Sequence, residues 1–287
     1  QTTDDMAVVI TGTNEAGSTV DVYNGSTKLG AATVNGTNWT YEAALSDGTS
    51  YALNAIETDT AGNPSPATSN FTVIGDTTAP TISGVSTSWG SVLNSIEDNS
   101  NGTVTISTSG VEDGQTVTLV LNSKSYTGTV SSNTTSITVP AADLQALSES
   151  SPYTLSANVS DAAGNAATQH SSTTFSVDKT APTAVLSNIA DDVGSVVGNL
   201  SSGQTTDDTA VVITGTNEAG STVDVYNGTT KLGAATVTGT NWAYEAALID
   251  GTTYALNAIE IDAAGNPSSA TSNFTVISDT TAPTAVL

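Results

Sequence analysis

"DTTAPT" at Asp76–Thr81 recurs as "DKTAPT" at Asp178–Thr183 and again as "DTTAPT" at Asp279–Thr284. The copies begin 102 and 101 residues apart, since 178 − 76 = 102 and 279 − 178 = 101. Proline fixes φ and has no N–H to give to a sheet ladder, so a strand has to end before it. The residue before proline is held extended. The phrase therefore predicts a short, stiff joint between successive units of about 100 residues.

The two outer units are near copies of each other. Residues 1–81 match residues 204–284 at an offset of 203, and about one position in eight differs. Between them lies a more distant relative, which shares "SDAAGN" (Ser160–Asn165) and the joint phrase. Units of this length suit a seven-stranded immunoglobulin-like sandwich. We therefore predict an all-β chain of tandem immunoglobulin-like sandwiches in a linear array.

The alignment of the repeats predicts where the modules begin and end. Gln1 aligns with Gln204, so the first module is expected to lack its opening strand. The predicted modules are an incomplete first repeat at 1–78, a complete repeat of a second type at 79–180, a complete third repeat at 181–281, and the opening strand of a further repeat at 282–287.

The segment 282–287 is identical to 181–186, the expected opening strand of the third repeat. A sheet edge without its neighbour leaves backbone donors and acceptors unpaired. We therefore expect residues 282–287 to dock on the first repeat of another molecule by strand addition, which gives head-to-tail association. The alternatives are that the missing strand exists but is not seen, or that the open edge is tolerated.

Local patterns support a sandwich. In "STVDVYNG" (Ser221–Gly228) apolar and polar residues alternate with a period of two, which is typical of a half-buried strand. Tyr51, Tyr153 and Tyr254 each open a Tyr-x-Leu strand, which predicts a tyrosine corner in each repeat. The alternative is that they are ordinary strand starts. One short helix is predicted within Pro140–Ser150.

Charge narrows the range of partners. The chain has 28 acidic residues, four lysines, one histidine and no arginine, for a formal charge of −24. It lacks the cationic surface that nucleic acids and anionic lipids require. It also has no cysteine and no apolar run long enough to span a membrane. Such a charge repels itself, so a metal cation is the expected neutraliser.

The joints are the predicted calcium sites. In this topology each joint phrase meets the top loops of the next sandwich, which carry further acids. Ca²⁺ prefers six to eight oxygen ligands, and one histidine with no cysteine disfavours softer metals. The alternative is that these Asp and Asn residues only make turns. The predicted ligands are Asp76, Glu112 and Asp161 at the first joint, and Asp178, Glu218 and Asp262 at the second.

A second acidic group lies between the first and second strands of the modules. In the third repeat it comprises "NIADDVG" (Asn188–Gly194) and "TTDD" (Thr205–Asp208), and in the middle repeat "NSIEDNSNG" (Asn94–Gly102). Either these acids form further oxygen cages or they belong to solvated loops. The candidate ligands are Asp191, Asp192, Asp207 and Asp208 in the third repeat, and Glu97 and Asp98 in the middle repeat.

The outer repeats, with "ITGTNEAGSTVDVYNGSTKLG", "AAGNPS" and "DTTAP", resemble bacterial immunoglobulin-like repeats of giant secreted adhesins of the biofilm and repeats-in-toxin (RTX) kinds. The middle repeat, with "GVEDGQTVTLVLN" and "SDAAGN", resembles a second repeat type of those proteins. The resemblance implies extracellular repeats at a bacterial surface, rigidified by Ca²⁺, that extend an adhesive tip. Trp89-Gly90-Ser91 departs from the pattern, since an acid often follows that glycine.

Four functions follow as hypotheses. The favoured one is a structural extender that contacts neighbouring repeats of its own chain. The alternative is a carbohydrate- or surface-binding module, for which Trp89, in a predicted loop, is the best platform; Trp39 and Trp242 are expected in the core. Ice or mineral binding would need ranked threonines at a short period, which are not found. An enzyme is not expected, because His170 has no catalytic constellation around it in the sequence.

Overall fold

β-Strands dominate the computed structural model, which describes residues 1–149, 152–172, 174–194 and 197–286. Within these residues the strands form seven sheets, and helix is confined to one short α-helix and one 3₁₀ turn. The prediction of an all-β, immunoglobulin-like fold is confirmed. No helix of the described residues is both long and apolar enough to cross a membrane.

The chain divides into two compact units, each assembled from segments that are separate in the sequence. The first unit comprises Gln1–Ser88, Thr103–Val139 and Tyr153–Thr174, and the second comprises Trp89–Gly102, Pro140–Pro152 and Phe175–Leu287. The predicted middle module, 79–180, contributes to both units. The division into modules at 78, 180 and 281 therefore stays a prediction.

The first repeat forms two sheets within the first unit. One has the order β1-β8-β7-β3-β4, with β1 parallel to β8, and the other has the order β2-β6-β5. Strand β2 pairs with β6 along its whole length and has no second partner in the described residues. The strands are β1 (Thr2–Thr3), β2 (Ala7–Thr13), β3 (Thr19–Asn24), β4 (Thr27–Ala31), β5 (Thr33–Asn35), β6 (Asn38–Ala44), β7 (Ser50–Thr58) and β8 (Phe71–Gly75).

The middle repeat has sheets ordered β14-β11-β9 and β13-β12-β15-β16, and a two-stranded parallel pair, β10-β17. A 3₁₀ turn covers Glu97–Asn99. The elements are β9 (Thr81–Thr87), β10 (Val92–Leu93), β11 (Gly102–Ser109), β12 (Thr116–Leu121), β13 (Lys124–Thr129), β14 (Thr134–Val139), α1 (Ala141–Gln145), β15 (Leu155–Asn158), β16 (His170–Ser171) and β17 (Ser176–Val177).

The third repeat forms two five-stranded sheets in the second unit, ordered β19-β18-β21-β25-β24 and β20-β27-β26-β22-β23. Strand β20 is parallel to β27, as β1 is to β8 in the first repeat. The strands are β18 (Val185–Asp191), β19 (Gly198–Asn199), β20 (Gln204–Thr206), β21 (Ala210–Thr216), β22 (Thr222–Asn227), β23 (Thr230–Ala234), β24 (Thr236–Thr238), β25 (Asn241–Ala247), β26 (Thr253–Ile261) and β27 (Phe274–Ser278).

The alternating pattern of the strands builds the cores. In the third repeat one continuous apolar cluster includes Ile189 of β18, Ile213 of β21 and Trp242 of β25. In the first repeat the matched residues fall into two smaller clusters, one around Trp39 and the other around Leu53. Trp39 and Trp242 are both buried, as the sequence predicts.

The predicted helix is present in a shorter form, and the predicted tyrosine corner is present in the third repeat, whereas the Tyr51 hydroxyl makes no described hydrogen bond. Helix α1 begins directly after Pro140, as expected, but ends at Gln145; Ser150, the end of the predicted range, lies outside the described residues. The hydroxyl of Tyr254 accepts a hydrogen bond from the Ile249 N–H (2.8 Å), which makes the tyrosine corner of the third repeat.

Candidate functional site: the repeat joints

The "DAAGN" loops are shaped by their own aspartates. Asp161 Oδ1 accepts backbone N–H bonds from Ala163, Gly164 and Asn165 at 2.8–3.0 Å, and Asp161 Oδ2 accepts from the Asn165 side chain (2.9 Å). Asp262 receives the matching pair of bonds from Asn266. The turn-making role is therefore real, and it holds each loop in a fixed shape.

The same asparagine connects this loop to the preceding joint phrase. Asn165 Nδ2 donates to the backbone carbonyl of Asp76 (2.9 Å), and Asn266 Nδ2 donates to the backbone carbonyl of Asp178 (3.0 Å). The first contact lies within the first unit and the second within the second unit. Each loop is thus hydrogen-bonded to the backbone of the preceding joint phrase, while a shared cation site for the loop and joint acids stays a prediction.

The remaining predicted joint acids lie beside these loops. Glu112 Oε2 accepts from the N–H of Ala162, in the loop of the middle repeat (2.9 Å). Glu218 is exposed, and its backbone N–H donates to Glu260 Oε1 (2.6 Å). Asp4 of the first repeat also approaches the first joint, since a Cβ on Gly164 would lie 3.8 Å from Asp4 Oδ2. Sequence reasoning did not place Asp4 there.

Glu260 is the residue at the second joint that sequence reasoning missed. It is 0% exposed, and its Oε2 has no hydrogen-bond partner in the described residues. Its counterpart, Glu57, receives the same 2.6 Å bond from the Glu15 N–H but is only half-buried. Hydrogen bonds from the Ser18 hydroxyl, which has the larger effect, and from the Glu15 N–H lower the pKa of Glu57. The signal in the sequence is that Glu260 lies near the end of β26, two residues before the loop aspartate Asp262.

Residues before the 3₁₀ turn of the middle repeat cover this part of the second joint. Asn94 Nδ2 donates to the Ala264 carbonyl (2.9 Å), and the Ser95 N–H donates to Asn266 Oδ1 (2.8 Å). Asn266 is fully buried as a result. Because Glu260 is fully buried, bulk water cannot supply the hydrogen bond that its Oε2 lacks. This oxygen therefore needs another partner.

The second acidic group of the third repeat is partly buried. Asp191 and Asp208 are 2% and 3% exposed, and Thr206 joins them: its hydroxyl donates to Asp191 Oδ2 (2.6 Å) and accepts from the Asp208 N–H (3.1 Å). Asp208 Oδ2 has no partner in the described residues. Asp207 and Asp192 are exposed, and the Asp207 carboxylate occupies the space that a Cβ on Gly194 would need.

The matching group of the middle repeat contains a lysine. Asp98, which is 6% exposed, is ion-paired with Lys179 of the "DKTAPT" phrase (3.0 Å). Lys179 Nζ also donates to three carbonyls at the end of α1, those of Leu144, Gln145 and Leu147. Glu97 Oε2 accepts the Asn94 N–H (3.1 Å). Asp98 thus already has a cation of the chain as its partner.

An acid 30 residues upstream holds each joint phrase, a contact that the sequence did not reveal. Asp47 accepts the Thr77 N–H (2.7 Å) and the Thr78 hydroxyl (3.0 Å). Glu149 and Asp250 do the same for "DKT" and the last "DTT". The backbone N–H bond, and then the threonine hydroxyl, lower the pKa values of Asp47 and Asp250. The hydroxyl bonds explain the threonine at the third position of each phrase, Thr78, Thr180 and Thr281.

Hard oxygen donors, namely carboxylates and backbone carbonyls, lie at the joints. Among the described residues, no three His, Asp or Glu side chains are grouped closely enough to hold a metal. Calcium stays the predicted cation of the joints, because carboxylate and carbonyl oxygens are the kind of ligand that it prefers. The orphaned buried oxygens of Glu260 and Asp208 are the clearest sign of a missing partner.

Trp89 corrects one prediction. It lies in a turn, as the sequence predicts, but it is no platform for a sugar: it is 4% exposed and packs edge-to-face on Phe175, with ring centroids 5.5 Å apart. Gly102 leaves room for its ring, which a Cβ there would overlap. Long-range packing that a local turn signal does not report buries this side chain. His170 lies half-buried in β16, opposite Ala157.

A series of sandwiches whose joint phrases bond to the loops of the following sandwich defines a class of tandem immunoglobulin-like module. Residues 1–77 match the model of the bacterial Ig-like domain, and residues 138–277 match that of the bacterial Ig-like domain, group 3. The chain belongs to the bacterial Ig-like domain proteins. Such domains are non-enzymatic structural modules, in agreement with the expected absence of catalysis. No curated protein gives a significant match.

Solved structures of adhesins share similarity with the chain at low identity. One, from work on host cell surface retention of a 1.5-MDa bacterial ice-binding adhesin, is 21% identical, with 95% of this chain and 91% of that chain covered and a TM-score of 0.46. A Ca²⁺-stabilized adhesin of an Antarctic bacterium that binds ice is 24% identical, with 97% and 71% covered and a TM-score of 0.44. A tetra-tandem repeat in the extending region of a large adhesion protein is 19% identical, with 96% and 72% covered and a TM-score of 0.31.

Proposed function

We propose that this chain is an extender section of a large bacterial surface adhesin. Its repeats act as a Ca²⁺-rigidified rod that projects a distal adhesive tip for attachment and biofilm formation. The observation that carries the proposal is the repeated joint contact, in which Asn165 and Asn266 each hold both a loop aspartate and the backbone of the preceding joint phrase. A contact built twice from the same residues favours a fixed joint over a loose linker.

Calcium is the cation proposed for the joints. Four lysines cannot neutralise 28 acids, and hard oxygen ligands without cysteine favour Ca²⁺ over softer metals. At the second joint the buried Glu260 accepts the Glu218 N–H at Oε1, and its Oε2 has no hydrogen-bond partner in the described residues. The proposed ligands are Asp76, Glu112 and Asp161 at the first joint, and Asp178, Glu218, Glu260 and Asp262 at the second.

The proposed setting is outside the cell, secreted or on the bacterial surface, with the neighbouring repeats of the same chain as the main partners. The carbohydrate-binding alternative loses its best candidate residue, because Trp89, like Trp39 and Trp242, is buried. Self-association through 282–287 stays a prediction; residues 282–286 are exposed and outside any strand, and Leu287 lies outside the described residues.

Asp178→Ala tests the calcium joint, and Asp279→Ala is its matched control. Each aspartate accepts a hydrogen bond (3.2 Å) from the backbone N–H of the residue two positions later, Thr180 for Asp178 and Thr281 for Asp279. Only Asp178 faces a following loop in the described chain. One site filled at 100 times its dissociation constant adds about 2.7 kcal/mol to folded stability.

We expect Ca²⁺ to raise the melting temperature of the wild-type chain and of Asp279→Ala, and to raise that of Asp178→Ala less. The readout is thermal unfolding in Ca²⁺ and in chelator. An equal calcium shift in all three proteins, or no shift in any of them, would contradict calcium binding at this joint.

A further inference from the structure

The two joints contain the same loop, but the preceding repeat covers it differently. The sequence "DAAGN" forms the loop at 161–165 in the middle repeat and the loop at 262–266 in the third repeat. In both loops the asparagine donates to the backbone carbonyl of the aspartate in the preceding joint phrase. Asn266 is nevertheless fully buried, whereas Asn165 is half-buried. Since the loops are identical, the difference comes from what the preceding repeat places against them.

At the second joint two residues of the middle repeat bond directly to the loop. The Asn94 side chain donates to the Ala264 carbonyl (2.9 Å), and the Ser95 N–H donates to the side-chain oxygen of Asn266 (2.8 Å). The side-chain oxygen of Asn94 accepts hydrogen bonds within its own turn, from the N–H groups two and three residues later (3.0 and 2.9 Å). One side chain thus shapes the turn with its oxygen and holds the next repeat with its NH₂ group.

The turn that follows Asn94 is anchored to the same joint phrase. Asp98, in the 3₁₀ turn, is ion-paired with Lys179 (3.0 Å), and the two side chains are only 8% and 18% exposed. The Lys179 ammonium also donates to three carbonyls at the end of α1. Lys179 directly follows Asp178, whose carbonyl accepts the Asn266 amide. The joint phrase, the turn and the loop therefore form a closed ring of direct contacts in which the cation is a lysine of the chain.

The first joint has an acid in the place of Asn94. The strand before Asp4 and the strand before Asn94, β1 and β10, are each parallel to the last strand of their repeat. Both residues follow the residue whose carbonyl accepts the N–H of the joint aspartate. Both also face the glycine of the next loop, since a Cβ on Gly164 would lie 3.8 Å from Asp4 Oδ2 and one on Gly265 would lie 3.0 Å from Asn94 Nδ2. The two side chains therefore occupy matching places.

A carboxylate in this place cannot make the contact that the amide makes. An ionised Asp4 has no hydrogen to donate to a loop carbonyl. The N–H of the next residue, Asp5, bonds to the Thr3 hydroxyl of its own strand (3.1 Å), and neither acid is hydrogen-bonded to the loop in the described residues. The first joint phrase also has a threonine, Thr77, where the second has its lysine. Among the described residues, the bond from Asn165 is the direct one that the first joint keeps.

We propose that the middle repeat carries a metal-independent lock for the third repeat, formed by Asn94 and Ser95 and held in place by the ion pair of Lys179 and Asp98. In the absence of Ca²⁺ the second joint then stays more rigid than the first, and the chain bends first at the joint without the lock. The residue after the parallel strand decides the kind of joint: an amide bonds the next loop directly, and an acid does not. The inference rests on the proposed extender function for its purpose, but its test is made in chelator.

Amide hydrogen exchange of the full chain in chelator tests the lock, because the two loops have the same sequence. The amides of 262–266 should exchange more slowly than those of 161–165, and Asn94→Asp should remove most of the difference. The variant keeps the oxygen that its own turn needs and loses the donor. One net hydrogen bond changes a local opening equilibrium by about fivefold, so protection of 262–266 should fall by at least that factor.

Asn101→Asp is the matched control for the added charge. Asn101 lies in the same segment, and its side-chain oxygen accepts the Ala141 N–H (3.0 Å), a bond that aspartate keeps. Protection of 262–266 should therefore stay at the wild-type level, and circular dichroism checks that both variants are folded. Equal exchange of the two loops in the wild-type chain, or equal effects of Asn94→Asp and Asn101→Asp, would overturn the proposal.

The reciprocal variant Asp4→Asn supplies the donor that the first joint lacks, and it should slow the exchange of 161–165. Lys179→Thr combined with Asp98→Asn removes the ion pair without leaving an unpaired buried charge. This double variant should lower the protection of 262–266, because the turn loses its anchor. Wild-type protection in the double variant would refute the part assigned to the ion pair. None of these results depends on calcium, whereas the calcium shift of Asp178→Ala tests the proposed function separately.

Discussion

The first and third repeats have nearly the same sequence, and comparing them shows how a neighbouring strand changes the burial of a strand in the sandwich. Strand β21 lies between β18 and β25, whereas β2 has β6 as its one partner in the described residues. Ile213 of β21 is 0% exposed, while its counterpart Ile10 is half-buried. An identical strand sequence therefore takes its burial from its partners and not from its own pattern.

The open side of the first repeat is a cleft. Val9 and Phe71 are 60% and 51% exposed, while Val212 and Phe274 are half-buried. A cavity of about 370 Å³ lies beside β2, with Ile10, Trp39 and Phe71 among its lining residues. In the third repeat Ile189 of β18 joins the core at the matching place and unites what are two clusters in the first repeat. The comparison predicts that equivalent mutations have unequal effects.

The largest difference is expected for Ile213→Ala against Ile10→Ala. A buried isoleucine truncated to alanine costs about 2–5 kcal/mol, because transfer and cavity terms add. Ile10 already faces a cleft, so its loss should cost less than half as much. The measurement is hydrogen exchange in each repeat, because a chain of several modules does not unfold in two states. Equal losses would show that β18 contributes no packing.

A second partner strand supplied to β2 should sharpen the comparison. A synthetic peptide with the sequence of residues 181–193 carries the whole of β18 and should bind along β2 by strand addition. Amide protection of β2 should rise toward that of β21. The same peptide with aspartate in place of the isoleucine that corresponds to Ile189 is the control, because that side chain reaches the core. Equal binding of both peptides would mean that the edge is not a specific acceptor.

A smaller difference is expected at the tyrosine corner. Tyr254→Phe removes the hydrogen bond from the Ile249 N–H, and the net cost of such a bond is about 1 kcal/mol. Tyr51 is half-buried and makes no described hydrogen bond, so Tyr51→Phe should change the stability of the first repeat little. Local exchange protection of each repeat checks both values. A larger loss in Tyr51→Phe would contradict the assignment of the corner.

The first and third repeats should not differ at the acids that hold their joint phrases. Asp47 and Asp250 make the same contacts with their phrases, and the pKa of each is lowered by those contacts. A lowered folded-state pKa gives stability that is present above the unfolded value, near 3.9, and is lost as the pH falls through the folded value. Asp47→Asn and Asp250→Asn should therefore cause small, equal losses at pH 7 that vanish in acid. Unequal losses at pH 7 would show that the repeats hold their phrases differently.

Local and periodic features could be predicted from the sequence. The spacing of Asp-x-Thr-Ala-Pro and the alternation in "STVDVYNG" indicate the sandwich, and Pro140 marks the start of the helix correctly. Features that depend on which distant segment covers a residue could not be predicted. Glu57 and Glu260 lie in nearly identical sequences, yet only Glu260 is fully buried. Trp89 lies in a turn, and the sequence does not show that its ring is buried against Phe175.

The candidate site also has features that could be predicted from the sequence and features that could not. The fold assumption places the "DAAGN" loops beside the joint phrases, and Asn165 and Asn266 hydrogen-bond the backbone carbonyls of those phrases. Whether the acids share a cation stays a prediction. The role of Lys179 could not be foreseen, because its ammonium group reaches a helix end and an aspartate that lie 32–35 and 81 residues away in sequence. Long side chains carry charge far from their own position, and a sequence pattern does not show where.

Small-angle X-ray scattering of the full chain, in saturating Ca²⁺ and in chelator, tests the proposed calcium-stiffened joints most directly. The account predicts a larger and better-defined maximum dimension in Ca²⁺, and a broader distribution of interatomic distances in chelator. Asp178→Ala in Ca²⁺ should fall between the two, and Asp279→Ala should match the wild type. Superimposable scattering curves of the wild-type chain with and without calcium would contradict the account.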